Sequence, residues 1–259
     1  TSIPDFSNAS LATRKAGDVC FRLSELTEAL RRFKDAEALA AKSGNSLLQG
    51  EALSRAGVVY SYLGDNYQAQ SQVASALDLL KSATGDSSPL GRNAYGEALA
   101  NMAEVNYSKG HFAKSFEQFR EARKYLEKDR KAQAKVYRFE GYITGSLGDA
   151  NRAKSEIEQA QEQSYAINDK AGGGLALVLL GTFYSFTGKP LLAIDLCKEA
   201  LEIFRSIGDR HGEAFALNGL GQAYQKKSDL TNALINTENA LRLLESTGAL
   251  DFVAVTTFK

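Results

Sequence analysis

Few residues in this chain have the types and spacing that catalysis or metal binding requires. The two histidines, His111 and His211, each lie beside a glycine in a predicted turn, one hundred residues apart. We therefore expect both to be solvated turn residues rather than a catalytic or metal-ligating pair. No CxxC, HExxH or paired Cys/His spacing is present, so the sequence offers no zinc or haem site.

Two other patterns resemble functional motifs but lack the features that those motifs require. The glycines at 172–174 suggest a phosphate-binding loop, but neither the GxxxxGK[ST] pattern nor a preceding strand accompanies them. We interpret them as a flexible turn between repeats, at the start of a helix. Glu97 and Glu104 lie seven residues apart on one predicted helical face, a common solvated pattern. We therefore predict no catalytic residue, no cofactor and no metal.

The bulk composition excludes several classes of partner. Lys and Arg together number 31, as do Asp and Glu, so no uniform basic field attracts nucleic acid or an anionic membrane. The longest apolar run, 175–184, is shorter than the roughly 20 residues that span a bilayer. Cys20 and Cys197 lie far apart along the chain and are predicted to be two buried thiols. A reducing, cytoplasmic location is the expectation.

A repeat of about 40 residues must position whatever side chains do act. Small residues recur at one place in each predicted first helix, at steps of 40, 46, 38, 40 and 40 residues: Gly17, Gly57, Ala103, Gly141, Gly181 and Gly221. Two further sets recur in each second helix: Ala29, Ala69, Ser115, Ala153, Ala193 and Ala233, then Ala36, Ala76, Ala122, Ala160, Ala200 and Ala240. Glycine inside a helix costs about 1 kcal/mol relative to alanine, so its recurrence indicates close helix–helix approach.

Turn residues separate the predicted helices at the same period. The turns include Gly64-Asp65, Gly148-Asp149, Ser228-Asp229, Asn168-Asp169 and Gly208-Asp209. The first residue of each pair can end a helix in the left-handed conformation, and the aspartate can cap the next helix. One irregular linker, Thr84–Ala94, accounts for the 46-residue step and is expected to be a mobile loop.

These residues resemble the tetratricopeptide repeat, in the long form found in Rap-like and MalT-like regulators, Pins-type scaffolds and arrays attached to effector domains. The hallmarks are Leu220-Gly221 with Tyr224, Leu180-Gly181 with Tyr184, and Gly57 with Tyr60. The resemblance implies an all-α fold, a right-handed α-solenoid of about six helix-turn-helix repeats over residues 1–248. The predicted repeats are 8–44, 45–85, 92–128, 129–168, 169–208 and 209–248. Residues 249–259 are expected to begin a further, incomplete helix, through which the chain self-associates.

In arrays of this kind the first helices line the concave face, so the resemblance implies a groove that binds a protein or peptide segment. Arginine and asparagine can bond the carboxylates and backbone of an extended peptide, and tyrosine packs on its side chains. The groove residues that the resemblance implies are Arg14, Arg55, Tyr62, Asn101, Tyr107, Arg138, Tyr142, Val178, Phe186, Asn218 and Gln222. A charged, solvated face without a partner is the alternative interpretation.

The fifth first helix differs from its neighbours because it is apolar on almost every face between Leu175 and Phe186. Either a partner segment or ordinary packing against the flanking helices would bury such a helix. Three functions stay open. The chain is a non-enzymatic peptide-binding scaffold within a larger regulatory protein, or a sensor gated by a signalling peptide. The third is the docking or autoinhibitory region of a multidomain enzyme such as a CHAT-type peptidase.

Overall fold

The computed structural model describes residues 5–82, 88–126 and 128–247. These residues are helical throughout apart from short turns, and no strand occurs among them. The chain divides into two compact units, Thr1–Glu127 (unit 1) and Lys128–Lys259 (unit 2). The fold class is therefore all-α and built of helix-turn-helix repeats, as the sequence predicts.

Each unit contains six described helices, in which a first helix packs against a second and the pair packs against the next pair. Unit 1 consists of α1 Phe6–Arg22, α2 Leu26–Lys42, α3 Ser46–Tyr62, α4 Asn66–Lys81, α5 Pro89–Ser108 and α6 Phe112–Arg123. Unit 2 consists of α7 Arg130–Ser146, α8 Ala150–Ala166, α9 Lys170–Phe186, α10 Pro190–Ile207, α11 Arg210–Lys226 and α12 Leu230–Thr247. Odd-numbered helices are the first helices of their repeats.

The recurring small residues pack the two helices of each pair together. All eighteen of them are buried. A Cβ atom added at Gly141 would lie 2.7 Å from Cγ1 of Ile157 and 3.1 Å from the carbonyl oxygen of Ala153. In the third pair, where alanine and serine replace glycine and alanine, the Ser115 hydroxyl donates to the carbonyl oxygen of Ala103 at 2.8 Å. The prediction of close helix–helix approach is confirmed.

The turn chemistry is confirmed as well. Positive φ angles occur at the turn residues Ser24, Gly44, Gly64, Gly110, Gly148, Asn168, Gly188, Gly208 and Ser228. Most of them precede a side chain that caps the next helix, as Asp169 does when it accepts from the backbone N–H of Gly172 at 3.1 Å. These caps satisfy N–H groups that have no partner within the helix.

Two sequence predictions about irregular segments are wrong. Residues from Pro89 to Ala94, assigned to a mobile linker, form the start of α5, where Ser88 caps the helix. The glycines at 172–174 lie in the first turns of α9 and are buried, because side chains of neighbouring residues pack closely against them. A Cβ atom at Gly174 would lie 2.8 Å from Cζ of Phe204. The remaining linker residues 83–87 and the predicted self-association segment 249–259 lie outside the described residues.

Candidate functional site

The first helices of neighbouring repeats contact each other directly in both units. In unit 1 α3 touches α1 and α5, and in unit 2 α9 touches α7 and α11. Side chains that do not pack onto the second helices therefore gather on one surface of each unit, which we call the first-helix face. In unit 1 a shallow recess of this face is lined by Arg14, Glu51, Ser54, Arg55, Ala94, Glu97 and Asn101.

Ion pairs connect the three first helices of unit 1. The Arg55 Nη2 atom on α3 donates to Glu97 Oε2 on α5 at 3.1 Å, and Arg55 Nε lies 3.6 Å from Asp18 Oδ1 on α1. The Arg14 guanidinium on α1 lies 3.5 Å from Glu51 Oε2 and 3.6 Å from Asp18 Oδ2. These five residues form a chain of contacts across three consecutive repeats, which we call the ion ladder.

The ion ladder contains three carboxylates and two guanidinium groups, so its formal charge is negative. Burial raises the pKa of Glu51, against the opposing effect of Arg14. Burial also acts to lower the pKa of Arg55, but the surrounding carboxylates, of which Glu97 has the largest effect, outweigh it and raise that pKa. Arg55 therefore remains charged, and its charge is largely neutralised by its own chain.

Two predicted groove residues are buried, which corrects the sequence analysis. Asn101 is 3% exposed, and its Nδ2 atom donates to Ser54 Oγ at 2.8 Å, so it links α5 to α3 instead of facing solvent. Val178 is 5% exposed and belongs to the hydrophobic core of unit 2. Both lie two or three residues before the small packing residue of their helix, where the neighbouring first helix covers them. Packing by the flanking helices is thus the correct interpretation for Val178.

The other predicted groove residues have accessible side chains. Tyr142 and Phe186 are exposed, and the half-buried ones are Arg14, Arg55, Tyr62, Tyr107, Arg138, Asn218 and Gln222. The structure brings Arg14 and Arg55 together on the ion ladder. Two tyrosines instead pack against aromatic neighbours. Tyr62 makes an edge contact with Phe21, with ring centroids 5.0 Å apart, and Tyr107 makes one with Phe112 at 5.4 Å.

Three residues of these faces were missed or misread in the sequence. Glu51 and Glu97 face the arginines, although Glu97 was read as part of a solvated pattern. Lys226, on α11, places its Nζ atom 5.3 Å from the ring centroid of Phe186 on α9. The sequence does contain a signal for these two glutamates, because Glu51 and Glu97 both lie six residues before the small packing residue of their helix.

The groups most suited to acid–base or nucleophilic chemistry are poorly placed for it. His211 was predicted to be solvated, but it lies inside α11 at 8% exposure, and burial lowers its pKa to about 4. His111 is exposed, as predicted. Both cysteines are free thiols; Cys197 is buried as predicted, whereas Cys20 is only half-buried. Burial raises the pKa of Cys197 to about 12.

Two further observations concern metals and membranes. Within residues 5–82, 88–126 and 128–247, no group of three or more His, Cys, Asp or Glu side chains is arranged to hold a metal ion. In the same residues, no helix combines the length and apolar character needed to cross a bilayer.

Comparison with known families identifies the repeat. Residues 174–246, which span α9 to α12, match the family model described as tetratricopeptide repeat. Over these residues the chain carries tetratricopeptide repeats. The matched stretch contains two of the helix pairs described above, with Gly181 and Gly221 at their packing positions. Comparison with curated protein sequences finds no significant match.

Solved structures of tetratricopeptide type are similar to the chain over most of its length. The Rap conjugation gene regulator of plasmid pLS20, in complex with the Phr* peptide, matches at TM-score 0.69 and 16% identity, covering 95% of this chain and 76% of that one. A Rap protein complexed with competence and sporulation factor matches at 0.67 and 15%, covering 94% and 73%. BtubC from P. vanneervenii matches at 0.59 and 16%, covering 92% of each. At these identities the likeness shows the fold alone, that of a helical solenoid.

Proposed function

We propose that the chain is a non-enzymatic scaffold that binds an extended peptide or protein segment along its first-helix faces. The observation that carries the proposal is the convergence of charged side chains from α1, α3 and α5 on one surface, where Arg14 and Arg55 meet the carboxylates of the next helices. Such a surface offers donors and acceptors at the spacing of successive repeats. An extended peptide has its own donors and acceptors along its length and can match them.

The half-buried amides of unit 2 supply a second set of contacts. Asn218 and Gln222 lie four residues apart on α11, so they share one helical face. Each amide carries a donor and an acceptor, the pair of groups that a peptide backbone requires. The two Rap structures similar to this chain are complexes with the Phr* peptide and with competence and sporulation factor, which supports the binding of a peptide or protein segment here.

A binding function accounts for the state of the titratable groups better than catalysis does. At neutral pH a histidine with a pKa of about 4 is uncharged and a weak base, and a thiol with a pKa of about 12 is protonated. His211 and Cys197 therefore have neither the pKa nor the exposure that a general base or nucleophile needs. The ion ladder is held by contacts within the chain and contains no histidine or thiol.

A peptide-library selection against the whole chain tests the proposal. Selected peptides are labelled and titrated by fluorescence anisotropy against wild type and against Asn218→Ala/Gln222→Ala. Loss of two amide contacts is expected to weaken binding by roughly thirtyfold, since each hydrogen bond contributes about 1 kcal/mol. The matched control is Asn239→Ala, which removes an exposed amide from α12, outside the first-helix face.

The proposal is rejected if selection enriches no peptide, or if enriched peptides bind the double variant as tightly as wild type. An equal loss for Asn239→Ala would also reject the assigned face, because that side chain belongs to a second helix.

A sensor gated by a peptide is the second candidate, and the ion ladder favours it. The two pairs made by Arg14 are long: 3.6 Å to Asp18 within α1, and 3.5 Å to Glu51, which joins α1 to α3. A bound segment that competes for Arg14 would release one repeat from the next and change their spacing. Small-angle scattering with and without a selected peptide separates the two functions, because a scaffold keeps its radius of gyration and a sensor changes it.

A further inference from the structure

Side chains at two equivalent places join consecutive first helices in unit 1. Phe21 lies four residues after Gly17, and Tyr62 lies five residues after Gly57; their ring centroids are 5.0 Å apart at an interplanar angle of 80°. One repeat later, Ser61 and Ser108 occupy the same two places, and their Oγ atoms are 3.0 Å apart. The fourth residue after one packing position therefore meets the fifth residue after the next.

Unit 2 has the same places but not the same contacts. Gly145 follows Gly141 by four residues, and Phe186 follows Gly181 by five. Phe186 thus occupies the place that Tyr62 has in unit 1. The place of Phe21, however, is taken by Gly145, which has no ring. Phe186 is 70% exposed, an unusual state for a phenylalanine on a face where the equivalent tyrosine is half-buried.

The packing of α7 onto α8 does not require a glycine at position 145. A Cβ atom there would lie 3.5 Å from Cβ of Ala153, which is ordinary van der Waals contact. The packing glycine of the same helix, Gly141, has no such room, with Cγ1 of Ile157 at 2.7 Å from an added Cβ. Gly145 therefore puts no side chain in the place that Phe21 occupies beside Tyr62 in unit 1.

A cation next to Phe186 adds a charge preference. Lys226 stands in the place of Ser108, and its ammonium group lies 5.3 Å from the centroid of the Phe186 ring. An ammonium group beside an exposed ring favours a hydrogen-bond acceptor that carries negative charge.

We propose that the space between Gly145 and Phe186 is a slot for an aromatic side chain of a bound peptide, with an acidic residue of that peptide at Lys226. The inference rests on the proposed peptide-binding function and names the chemistry of the segment that unit 2 takes. The incoming ring packs on Phe186 as Phe21 packs on Tyr62 in unit 1. The carboxylate pairs with the ammonium group of Lys226, while the ring covers Phe186.

The probes are three capped dipeptides titrated into the whole chain and followed by protein-observed NMR. They are N-acetyl-phenylalanyl-aspartyl amide, the alanyl-aspartyl analogue without the ring, and the phenylalanyl-lysyl analogue with the charge reversed. The first is expected to shift signals of Phe186 and Lys226. Loss of the ring is expected to weaken binding roughly threefold to tenfold, the range of an aromatic pair. Charge reversal is expected to weaken it as well.

Two variants test the slot itself. Gly145→Phe supplies a ring from the chain, as Phe21 does in unit 1, and is expected to weaken binding of the first probe at least tenfold. Gly145→Ala, which leaves the slot open, is the matched control and keeps binding. Phe186→Ala is expected to lose binding with little change in melting temperature, because the ring is exposed. This second variant keeps the test valid if Gly145→Phe does not fold.

The slot is rejected if the alanyl probe binds as tightly as the phenylalanyl probe, if neither shifts any signal, or if both ring variants bind like wild type. Library-selected peptides distinguish this failure from failure of the function. If they depend on Asn218 and Gln222 but ignore Gly145→Phe, the slot is wrong and peptide binding stands. If no peptide binds, both are wrong.

Discussion

The two units share one packing scheme but differ in how their first-helix faces are occupied. In unit 1 the side chains of successive first helices satisfy each other, as Arg55 does with Glu97 and Phe21 does with Tyr62. In unit 2 the equivalent places hold Gly145 beside an exposed Phe186, and the neighbouring Ser185 hydroxyl finds no partner among the described residues. Repeats with the same packing can therefore have a first-helix face that their own side chains cover, or one that stays accessible to a ligand.

The difference shows which positions specify the fold and which specify function. Packing positions accept only small residues, because a side chain there meets the second helix, as it would at Gly141. Face positions are less crowded, since a Cβ atom at Gly145 would meet Cβ of Ala153 at an ordinary 3.5 Å, so glycine, serine, phenylalanine and lysine are all accommodated. Variation between copies is consequently concentrated on the face, where it changes what can bind without disturbing the pair.

The largest difference between the units is expected in how their histidines make the free energy of unfolding depend on pH. His211 in unit 2 has a pKa of about 4 when folded, against an ordinary value of 6.5. The unfolded state therefore takes up a proton at higher pH than the folded state. Stability falls as pH drops from about 6.5 to about 4, by about 3 kcal/mol. Urea unfolding at several pH values measures this loss, and His211→Leu should remove it.

The exposed histidine of unit 1 provides the control. His111→Gln is expected to keep the wild-type loss between neutral pH and pH 4, because its side chain is solvated. If wild type and His211→Leu show the same change in the free energy of unfolding over that range, burial of His211 does not control the acid sensitivity.

Two glycines of first helices, one from each unit, give the next largest effect. Gly57→Ala places a Cβ atom 3.0 Å from the carbonyl oxygen of Ala69 and against Val73, so it is expected to destabilise the chain by about 1–3 kcal/mol. Gly145→Ala meets only ordinary contacts and is expected to stabilise it by up to about 1 kcal/mol through helix propensity. Thermal unfolding followed by circular dichroism measures both. Equal melting temperatures for the two variants would contradict the distinction between packing and face glycines.

The smallest effect on the free energy of unfolding is expected for two arginines, one from each unit. Arg55→Gln breaks the ion ladder at its centre and leaves Asp18 near Glu97, so a loss of about 1 kcal/mol is expected at low salt. Arg205→Gln in unit 2 removes a more exposed pair with Glu213, and less than about 0.5 kcal/mol is expected. Urea unfolding at low and high salt is the measurement. A larger loss for Arg205→Gln would show that the ladder adds no stability to unit 1.

The helix pairs and turns could be predicted from sequence because they depend on contacts of short range. Glycine and alanine recur where helices touch, and left-handed turn residues recur before aspartate caps. Both features are therefore visible in the sequence as a regular period. The side-chain pairing on the faces could not be predicted in the same way. The partner of Arg55 is Glu97, 42 residues along the chain, and only the stacking of repeats brings the two together.

Individual errors have specific physical causes. Asn101 and Val178 were assigned to the groove from the resemblance, but a neighbouring first helix covers both. His211 was assigned to a turn because it lies beside a glycine, whereas α11 begins at Arg210 and the His211 side chain is buried. Pro89 was read as part of a linker, although proline in the first turn of a helix costs no hydrogen bond.

The matching turns on either side of α9 and α10 have a consequence for how the array can change length. Asn168 and Gly208 are both left-handed, and the aspartates that follow them both cap a first helix. A duplicated copy of residues 169–208 would join Gly208 to Asp169, a junction with the same chemistry as the present one. The stretch therefore behaves as a cassette, and unequal recombination could lengthen or shorten the chain there without inventing a new turn.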